Sequence, residues 1–316
     1  MTQFAVISDI HGNAPALRKV LEDAKHRGIE DFIIAGDYAI SGAWPDECIE
    51  ILQTIPKKLI IRGNEERYLE NLIGKDQSNW TDGQMQISYW SYRNITPEHL
   101  TYLLGLPQTA ECETYGVKIH VTHDSRALIG DSELEQFGSP NIAERYANKE
   151  VTPESLRRDI HEILNHDPAF LEKVNALEDG IYVFGHSHVQ WSYKLGGRNV
   201  LLVNPGSCGL PLDAIKGSIP YSILTITESG EANVEEVRIP FDKKDYVEEL
   251  KKTSQYTEAN VWTKVIFREH LTAREHMMFF LQFVNEYAEK IGDPVRPFSV
   301  KTWEAAYELW NESQQD

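Results

Sequence analysis

The stretch AVISDIHGN, residues 5–13, joins an apolar run to two polar residues, Asp9 and His11, that can bind metal ions. An apolar and partly β-branched run of this length predicts a buried β-strand. The two polar residues follow the run, so they belong to the loop at the carboxyl end of that strand. Four later segments repeat this form: FIIAGDYA (32–39), KLIIRGNEE (58–66), KIHVTHDS (118–125) and IYVFGHSHV (181–189).

The loops after these five strands carry the candidate site. Open sheets that are covered on both faces bind ligands at the carboxyl ends of their strands. Polar residues that lie far apart in the sequence are therefore expected to meet at one edge of the fold. The candidate metal ligands are Asp9, His11, Asp37, Asn64, His123, His186 and His188.

Strands and helices alternate over the first sixty residues. Apolar runs predict strands at 3–8, 31–35 and 58–62, and helical spacing of apolar residues predicts helices at 13–26 and about 45–54. The order β-α-β-α-β implies parallel strands joined by right-handed crossovers. The amino-terminal part is therefore expected to form an α/β fold.

Helical segments interrupt the later strands. Residues 66–106 are aromatic-rich and predict a helical insertion beside the site, and residues 131–178 are polar and mostly helical. Alternating strands are predicted around these segments, at 117–122 and in five further runs at 181–184, 190–195, 200–203, 221–228 and 232–239. They favour a second sheet that is partly antiparallel.

After Pro240 the pattern becomes helical, which predicts a carboxyl-terminal module over residues 241–316. Its expected helices are 243–254, about 259–291 and 299–313. Apolar helix faces usually pack against a core, which is one interpretation of this module. The other interpretation is a lid over the site, with His270 or His276 reaching inward.

Composition restricts the function classes. The chain has 316 residues and a net charge of −18, which argues against polymeric nucleic acid as a partner because phosphate backbones are bound by many Lys and Arg residues. Three widely spaced cysteines favour a reducing compartment over a disulfide framework. We find no signal peptide and no apolar run long enough to span a membrane, so we expect a soluble cytoplasmic protein.

The ordered set of D-x-H, G-D, G-N, an isolated His and G-H-x-H resembles the calcineurin-like metallophosphoesterase superfamily. NPGS, residues 204–207, resembles the turn that follows the last metal motif in many bacterial members. The resemblance covers roughly residues 3–240 and implies a four-layer α/β/β/α sandwich. It predicts a metallophosphoesterase domain over residues 1–240, with the insertion and the carboxyl-terminal module added to it.

The resemblance also implies a dinuclear centre and its ligands. Asp9, His11 and His188 would bind one divalent metal, and Asn64, His123 and His186 would bind the other. Asp37 would bridge the two metals, and a hydroxide between them would attack phosphorus. Carboxylate, imidazole and amide ligands suit manganese or iron, and also zinc. His120 is the alternative to His123, although it precedes the end of its strand.

One position departs from the family pattern. Many members continue the G-N motif with a His that assists the leaving group, whereas here Glu65 and Glu66 follow Asn64. Glu65 could serve as a general acid if burial raised its pKa, or both residues could start the following helix. Asn13 stands at a predicted helix start, where it could bind phosphate or simply cap the helix.

The missing His bears on the substrate. Leaving groups such as nucleoside phosphates and phenolates need little protonation, so we expect small phosphodiesters or dinucleoside polyphosphates and not phosphoproteins. Some bacterial members with a similar domain length and tail resemble phosphodiesterases and diadenosine tetraphosphate hydrolases. A small-molecule phosphomonoesterase is an alternative, and a non-catalytic scaffold of the same fold is another.

Overall fold

Two five-stranded β-sheets pack face to face in the computed structural model, which describes residues 1–313. Apolar side chains from both sheets, among them Val6, Ile33, Ile119 and Val183, fill the space between them. In chain order the strands are β1 (Thr2–Ile7), β2 (Asp31–Ile34), β3 (Lys57–Ile60), β4 (Thr109–Thr114), β5 (Val117–Thr122), β6 (Gly180–Val183), β7 (Gln190–Lys194), β8 (Val200–Pro205), β9 (Ser218–Ile226) and β10 (Ala232–Pro240).

The two sheets are both mixed. The first sheet has the strand order β10-β9-β1-β2-β3, in which β1, β2 and β3 are parallel as predicted. The second sheet has the order β4-β5-β6-β8-β7, with a parallel centre and antiparallel edges. Because β1, β2, β3, β5 and β6 all run into ligand-bearing loops, their carboxyl ends define one edge of the sandwich.

Helices cover the outer face of each sheet. Leu17 and Leu52 pack on the first sheet, and Ile160 and Phe170 pack on the second. The four-layer α/β/β/α arrangement is therefore confirmed. In chain order the helices are α1 (Ala14–His26), α2 (Pro45–Thr54), α3 (Glu65–Glu70), α4 (Gln86–Arg93), α5 (Pro97–Gly105), α6 (Arg126–Ile129), α7 (Ser132–Phe137), α8 (Ser139–Arg145), α9 (Pro153–His166), α10 (Pro168–Ala176), α11 (Lys243–Leu250), α12 (Ser254–Glu258), α13 (Val261–Thr272), α14 (Met277–Ile291) and α15 (Val300–Ser313).

The long helix predicted at about 259–291 is two helices, α13 and α14. Ala273 adopts a left-handed conformation with φ 54°, which ends α13. The buried carboxylate of Glu269 accepts hydrogen bonds from the backbone N–H groups of His276 and Met277, at 2.9 and 2.8 Å. A side-chain acceptor from one helix thus satisfies the free donors that start the next. No glycine or proline marks this break in the sequence.

The carboxyl-terminal module packs against the insertion and against the loop that precedes α2. The indole N–H of Trp262 donates to the carbonyl of Gln84 at 2.6 Å, and the amide of Gln255 donates to the carbonyl of Gly42 at 2.9 Å. Its own core surrounds Trp303, which is fully buried. None of the helices within residues 1–313 is both long and apolar enough to cross a lipid bilayer.

Candidate metal centre

The ligand-bearing loops are joined to one another by backbone hydrogen bonds. The N–H groups of Asp9 and Ile10 donate to the carbonyls of Gly36 and Asp37, at 3.0 and 2.8 Å. These contacts extend the pairing of β1 and β2 past the ends of the strands. The two sheets are linked in the same region, because the N–H of Cys208, after β8, donates to the carbonyl of Ser8, after β1, at 3.1 Å.

Five of the candidate ligands have backbone conformations that are rare for residues other than glycine. Their φ angles lie in the left-handed region, where L-residues carry strain that the surrounding structure must hold. Such strain is concentrated at functional sites in proteins. The five residues, with their φ angles, are Asp9 (54°), His11 (50°), Asp37 (57°), His186 (71°) and His188 (59°).

Asp9, His11 and His188 form the first group, in which one potential ligand atom from each residue lies within 4.8 Å of the others. The Nε2 atoms of His11 and His188 are 2.9 Å apart, and Nε2 of His188 is 3.6 Å from Oδ1 of Asp9. All three side chains are nearly excluded from solvent. This arrangement can bind one metal ion.

Asp37, His123 and His186 form the second group, again within 4.8 Å. Nε2 of His123 lies 3.2 Å from Oδ2 of Asp37 and 3.0 Å from Oδ1 of Asn64. Asn64 therefore adds an oxygen donor to this group. The structure brings all seven predicted metal ligands together, and Asp37, which the family resemblance predicts to bridge the two metals, lies with the second group.

Three of the four imidazoles have the same orientation. The Nδ1 atoms of His11, His123 and His188 each contact a backbone carbonyl, at 3.2, 2.6 and 2.8 Å respectively. A carbonyl only accepts, so each Nδ1 carries the proton and donates. In a neutral ring, Nε2 then carries a lone pair that is directed at the candidate metal centre. Metal-binding histidines show this anchoring in general.

Acceptor atoms therefore converge on each group without a matching donor. The lone pairs of His11 and His188 face each other beside Asp9, and that of His123 faces oxygens of Asp37 and Asn64. Such convergence of lone pairs is stable only if cations, either protons or metal ions, lie between the acceptors. The donor set thus fits two divalent metal ions.

The charges of the site also favour cations. Burial acts to lower the pKa of His123, but the negative charge of Asp37 and a hydrogen bond to it outweigh burial and raise that pKa to about 10. The pKa of Asp37 is lowered by His123 against the effect of burial. Protons are held tightly here when no metal is bound, so metal binding must release them.

Glu65 does not face the open side of the site. It is 6% exposed, its Oε1 lies 2.9 Å from Nδ1 of His11, and its Oε2 accepts the N–H of Ile40 at 3.0 Å. In place of the predicted general acid, the structure thus shows a carboxylate that orients a candidate ligand from behind. The prediction that Glu65 starts the following helix agrees with its place as the first residue of α3.

Glu66 connects two ligand loops. Its fully buried carboxylate accepts hydrogen bonds from the backbone N–H groups of Gly63 and Tyr38, at 2.7 and 2.9 Å. Gly63 must be a glycine because a Cβ there would lie 2.1 Å from Oδ1 of Asp37. The G-N-E-E segment is therefore built around the Asp37 carboxylate.

Asn13 is fully buried and has both ends of its amide occupied. Its Oδ1 accepts the N–H of Ala16 at 3.1 Å and so caps α1, while its Nδ2 donates to the carbonyl of Gly209 at 2.8 Å. In place of the predicted phosphate contact, Asn13 caps a helix and holds the loop after the NPGS turn. The capping alternative is the one that fits this geometry.

The NPGS turn and a distant helix support the G-H-S-H loop. Oε1 of the buried Glu133 in α7 accepts hydrogen bonds from Ser187, Trp191 and Asn204, at 2.5, 2.7 and 2.8 Å. Asn204 also donates to the carbonyl of Gly185 at 2.9 Å. Sequence reasoning missed Glu133, which lies in a polar helical stretch that offers no local signal.

His120, the alternative to His123, lies away from the site. Its Nδ1 is 2.8 Å from Oε1 of Glu111, and its ring stacks on Tyr182 with centroids 4.9 Å apart. His270 is buried against Tyr246, and His276 contacts the Thr272 hydroxyl at 3.0 Å. The structure leaves these three histidines outside both groups of ligands.

Comparison with known proteins agrees with this geometry. The sequence matches the calcineurin-like phosphoesterase superfamily domain over residues 2–229. The chain belongs to this superfamily. It is 29% identical over 265 residues to protein MJ0912 of Methanocaldococcus jannaschii, a match that covers 79% of this chain and 93% of that protein.

Two solved structures share the fold. A metallophosphoesterase from Sphaerobacter thermophilus superposes with a TM-score of 0.54 at 20% identity, covering 86% of this chain and 99% of that one. Protein PH1004 from Pyrococcus horikoshii OT3 superposes with a TM-score of 0.55 at 19% identity, covering 84% of this chain and 98% of that one. As a member of the superfamily, the protein is a metal-binding hydrolase of phosphoesters.

A cavity of about 350 Å3 opens beside the second group of ligands in this phosphoesterase. Asn64, His123 and His186 face it, and its lining comes from residues between Arg62 and His186. This is the space in which a phosphoester can approach the metals. Up to residue 313, the carboxyl-terminal module contributes none of the lining residues, so its role as a lid stays a prediction.

Proposed function

We propose that this metallophosphoesterase hydrolyses small phosphodiesters or nucleotide phosphoanhydrides, whose leaving groups depart without protonation. The observation that carries the proposal is the position of Glu65. The residue after Asn64, which is His in many members, here contacts His11 and the backbone of Ile40 and does not face the cavity. A serine or threonine alkoxide would therefore lack a proton donor at this position.

The side chains at the cavity have complementary roles under this proposal. When two divalent ions are bound, they supply Lewis acidity and an activated water. Asp37, in the second group, would bridge the two ions and lower the repulsion between them through its negative charge. The amide of Asn64 and the imidazole of His123, which line the cavity, would hold the second ion. Manganese or iron suits these ligands best, and zinc is compatible with them.

The proposed substrates are small molecules. The chain has an excess of 18 negative charges, which disfavours a polymeric nucleic acid as the partner. Small phosphorylated compounds remain favourable because bound metals dominate the field in the cavity. The free thiols of Cys48, Cys112 and Cys208 support a reducing compartment, such as the cytoplasm, as the place of action.

Substrate comparison with manganese-loaded protein tests the proposal. We expect bis-p-nitrophenyl phosphate and diadenosine tetraphosphate to be hydrolysed with a higher kcat/KM than a phosphoserine peptide. p-Nitrophenyl phosphate reports on the phosphomonoesterase alternative, because it has the same leaving group as the diester. A clear preference for the phosphoserine peptide, or for the monoester alone, would contradict the proposal.

A further inference from the structure

Three arginines line the cavity beside the second group of ligands, although the chain as a whole is strongly acidic. Arg62 ends the segment after β3, Arg67 lies in α3, and Arg126 is the first residue of α6. Arg62 and Arg67 stand on either side of Asn64 in the sequence, Arg126 follows His123, and all three line the cavity that these two candidate ligands face. Nothing in the motif pattern of metal ligands requires them.

The three arginines differ in how far their charge is already neutralised. Arg62 pairs with Glu70 at 3.3 Å and Arg126 pairs with Asp124. Within residues 1–313, Arg67 forms no ion pair with a carboxylate, and its side chain is exposed at the cavity. One guanidinium is therefore free to bind an anion, and the two paired ones add positive charge beside it.

The cavity continues beyond these arginines. Tyr68 lines both this cavity and an adjoining cleft of about 520 Å3, which is bounded by Lys75, Trp80 and Tyr89. A molecule longer than a single phosphate can thus extend from the metals past Arg67 and Tyr68. The path combines positive charge with aromatic surface, a combination that suits a nucleotide.

We propose that Arg67, flanked by Arg62 and Arg126, binds a second phosphate group of the substrate, next to the phosphate that the metals hold. The inference rests on the proposed function and makes its substrate class narrower. A guanidinium can bind a phosphate through two parallel hydrogen bonds, which position it as well as attract it. Compounds with adjacent phosphates are then preferred over simple diesters with one phosphate.

A matched pair of substrates isolates this effect. Diadenosine tetraphosphate and the p-nitrophenyl ester of AMP both carry adenosine and a leaving group that departs without protonation, and they differ in the number of phosphates. For Arg67→Met we expect kcat/KM for the tetraphosphate to fall by about tenfold or more relative to the change for the p-nitrophenyl ester, mainly through KM. Arg67→Lys should recover only part of the loss, because an ammonium group lacks the planar pair of donors.

Arg158→Met serves as the control, because Arg158 is 71% exposed on α9, far from the cavity lining. It should match the wild type on both substrates. Equal losses on the two substrates in Arg67→Met would overturn the inference. The inference would also be overturned if the wild-type protein cleaved bis-p-nitrophenyl phosphate but not diadenosine tetraphosphate. That result would leave the proposed function standing. Absence of turnover on every substrate would overturn both.

Discussion

Glu65 shows how a single substitution within a motif changes its role. Its carboxylate lies 2.9 Å from Nδ1 of His11, and burial raises its pKa while His11 opposes that effect. A carboxylate in this position fixes the orientation of the imidazole and makes it a better ligand. His11 belongs to the first group of metal ligands, so Glu65 acts on the site through that group.

Replacing Glu65 with Gln should weaken metal binding more than it changes the chemistry. We expect about a 10- to 100-fold loss of metal affinity or of activity at low metal concentration, recovered in part at high metal. The measurement is turnover of two aryl diesters with different leaving groups over a range of manganese concentrations. Glu98→Gln, at an exposed position in α5, is the control.

The two possible roles of Glu65 give different results in that experiment. An orienting carboxylate predicts the same loss for good and poor leaving groups. A general acid predicts a loss that grows as the leaving group becomes more basic. Dependence on the leaving group, with unchanged metal affinity, would contradict the role assigned by the structure.

Lys243 is a second residue whose burial has a measurable effect. It is 6% exposed, and its Nζ has no hydrogen-bond partner among residues 1–313. Burial lowers its pKa to about 7 from an ordinary value of 10.5, although Cys208 and Asp213 oppose the shift. The buried ammonium group of protonated Lys243 therefore lowers the free energy of unfolding.

Lys243→Met should stabilise the protein by about 4 kcal/mol at pH 7. Below about pH 7, Lys243 is protonated in both the folded and the unfolded wild-type protein. The difference in free energy of unfolding between the variant and the wild type is then at its maximum and does not change with pH. Between pH 7 and 10 the unfolded state binds a proton that the folded state lacks, so wild-type stability rises and the difference closes. Urea unfolding at pH 6.5, 8 and 9.5 measures this, with the exposed Lys244→Met as control. A difference that does not change with pH would contradict the assignment.

At the scale of elements, one helix outside the sheets supports the loop of His186 and His188. α7 places Glu133 against Ser187, so the residue between the two histidines is held by a carboxylate 54 positions away in sequence. Asn204 of the NPGS turn contacts the same carboxylate and the same serine. The turn and the helix together fix the position of the loop.

Glu133→Ala would leave the buried donors of Ser187 and Trp191 without an acceptor, while Asn204 keeps the carbonyl of Gly185. Each unpaired donor costs about 1 to 3 kcal/mol, so we expect a loss of about 3 kcal/mol or more in the free energy of unfolding and weaker metal binding. Calorimetry of the metal-free and metal-loaded protein measures both. Glu135→Ala, exposed in the same helix, should change neither. A variant as stable as the wild type would show that the cluster is not needed.

At the scale of the whole molecule, local patterns and long-range contacts contributed differently to what could be predicted. Asp9, Asp37 and His186 could be found because each follows an apolar strand directly. The positions of Glu65 and Asn13 could not, because each had two plausible roles that only tertiary contacts distinguish. The break between α13 and α14 depends on Glu269 and was equally hidden from local sequence.

The carboxyl-terminal module illustrates the same limit. Its helical character follows from composition, but its position depends on contacts such as that of Trp262 with Gln84 in the insertion. The insertion and the module therefore pack on each other, while the lining of the cavity comes from residues 62–186. The second group of metal ligands, the three arginines and the adjoining cleft thus lie next to one another.

Metal-dependent turnover tests the central claim most directly. Asp37→Asn is the matched variant, because Asn tolerates the φ of 57° at this position and keeps the shape of the side chain. With metal-stripped protein and bis-p-nitrophenyl phosphate, we expect wild-type turnover to rise with manganese and level off near two ions per chain. Asp37→Asn should be folded and slower by about 100-fold or more. Turnover that needs no metal, absence of turnover with manganese, iron and zinc, or an equally active Asp37→Asn would contradict the two-metal site.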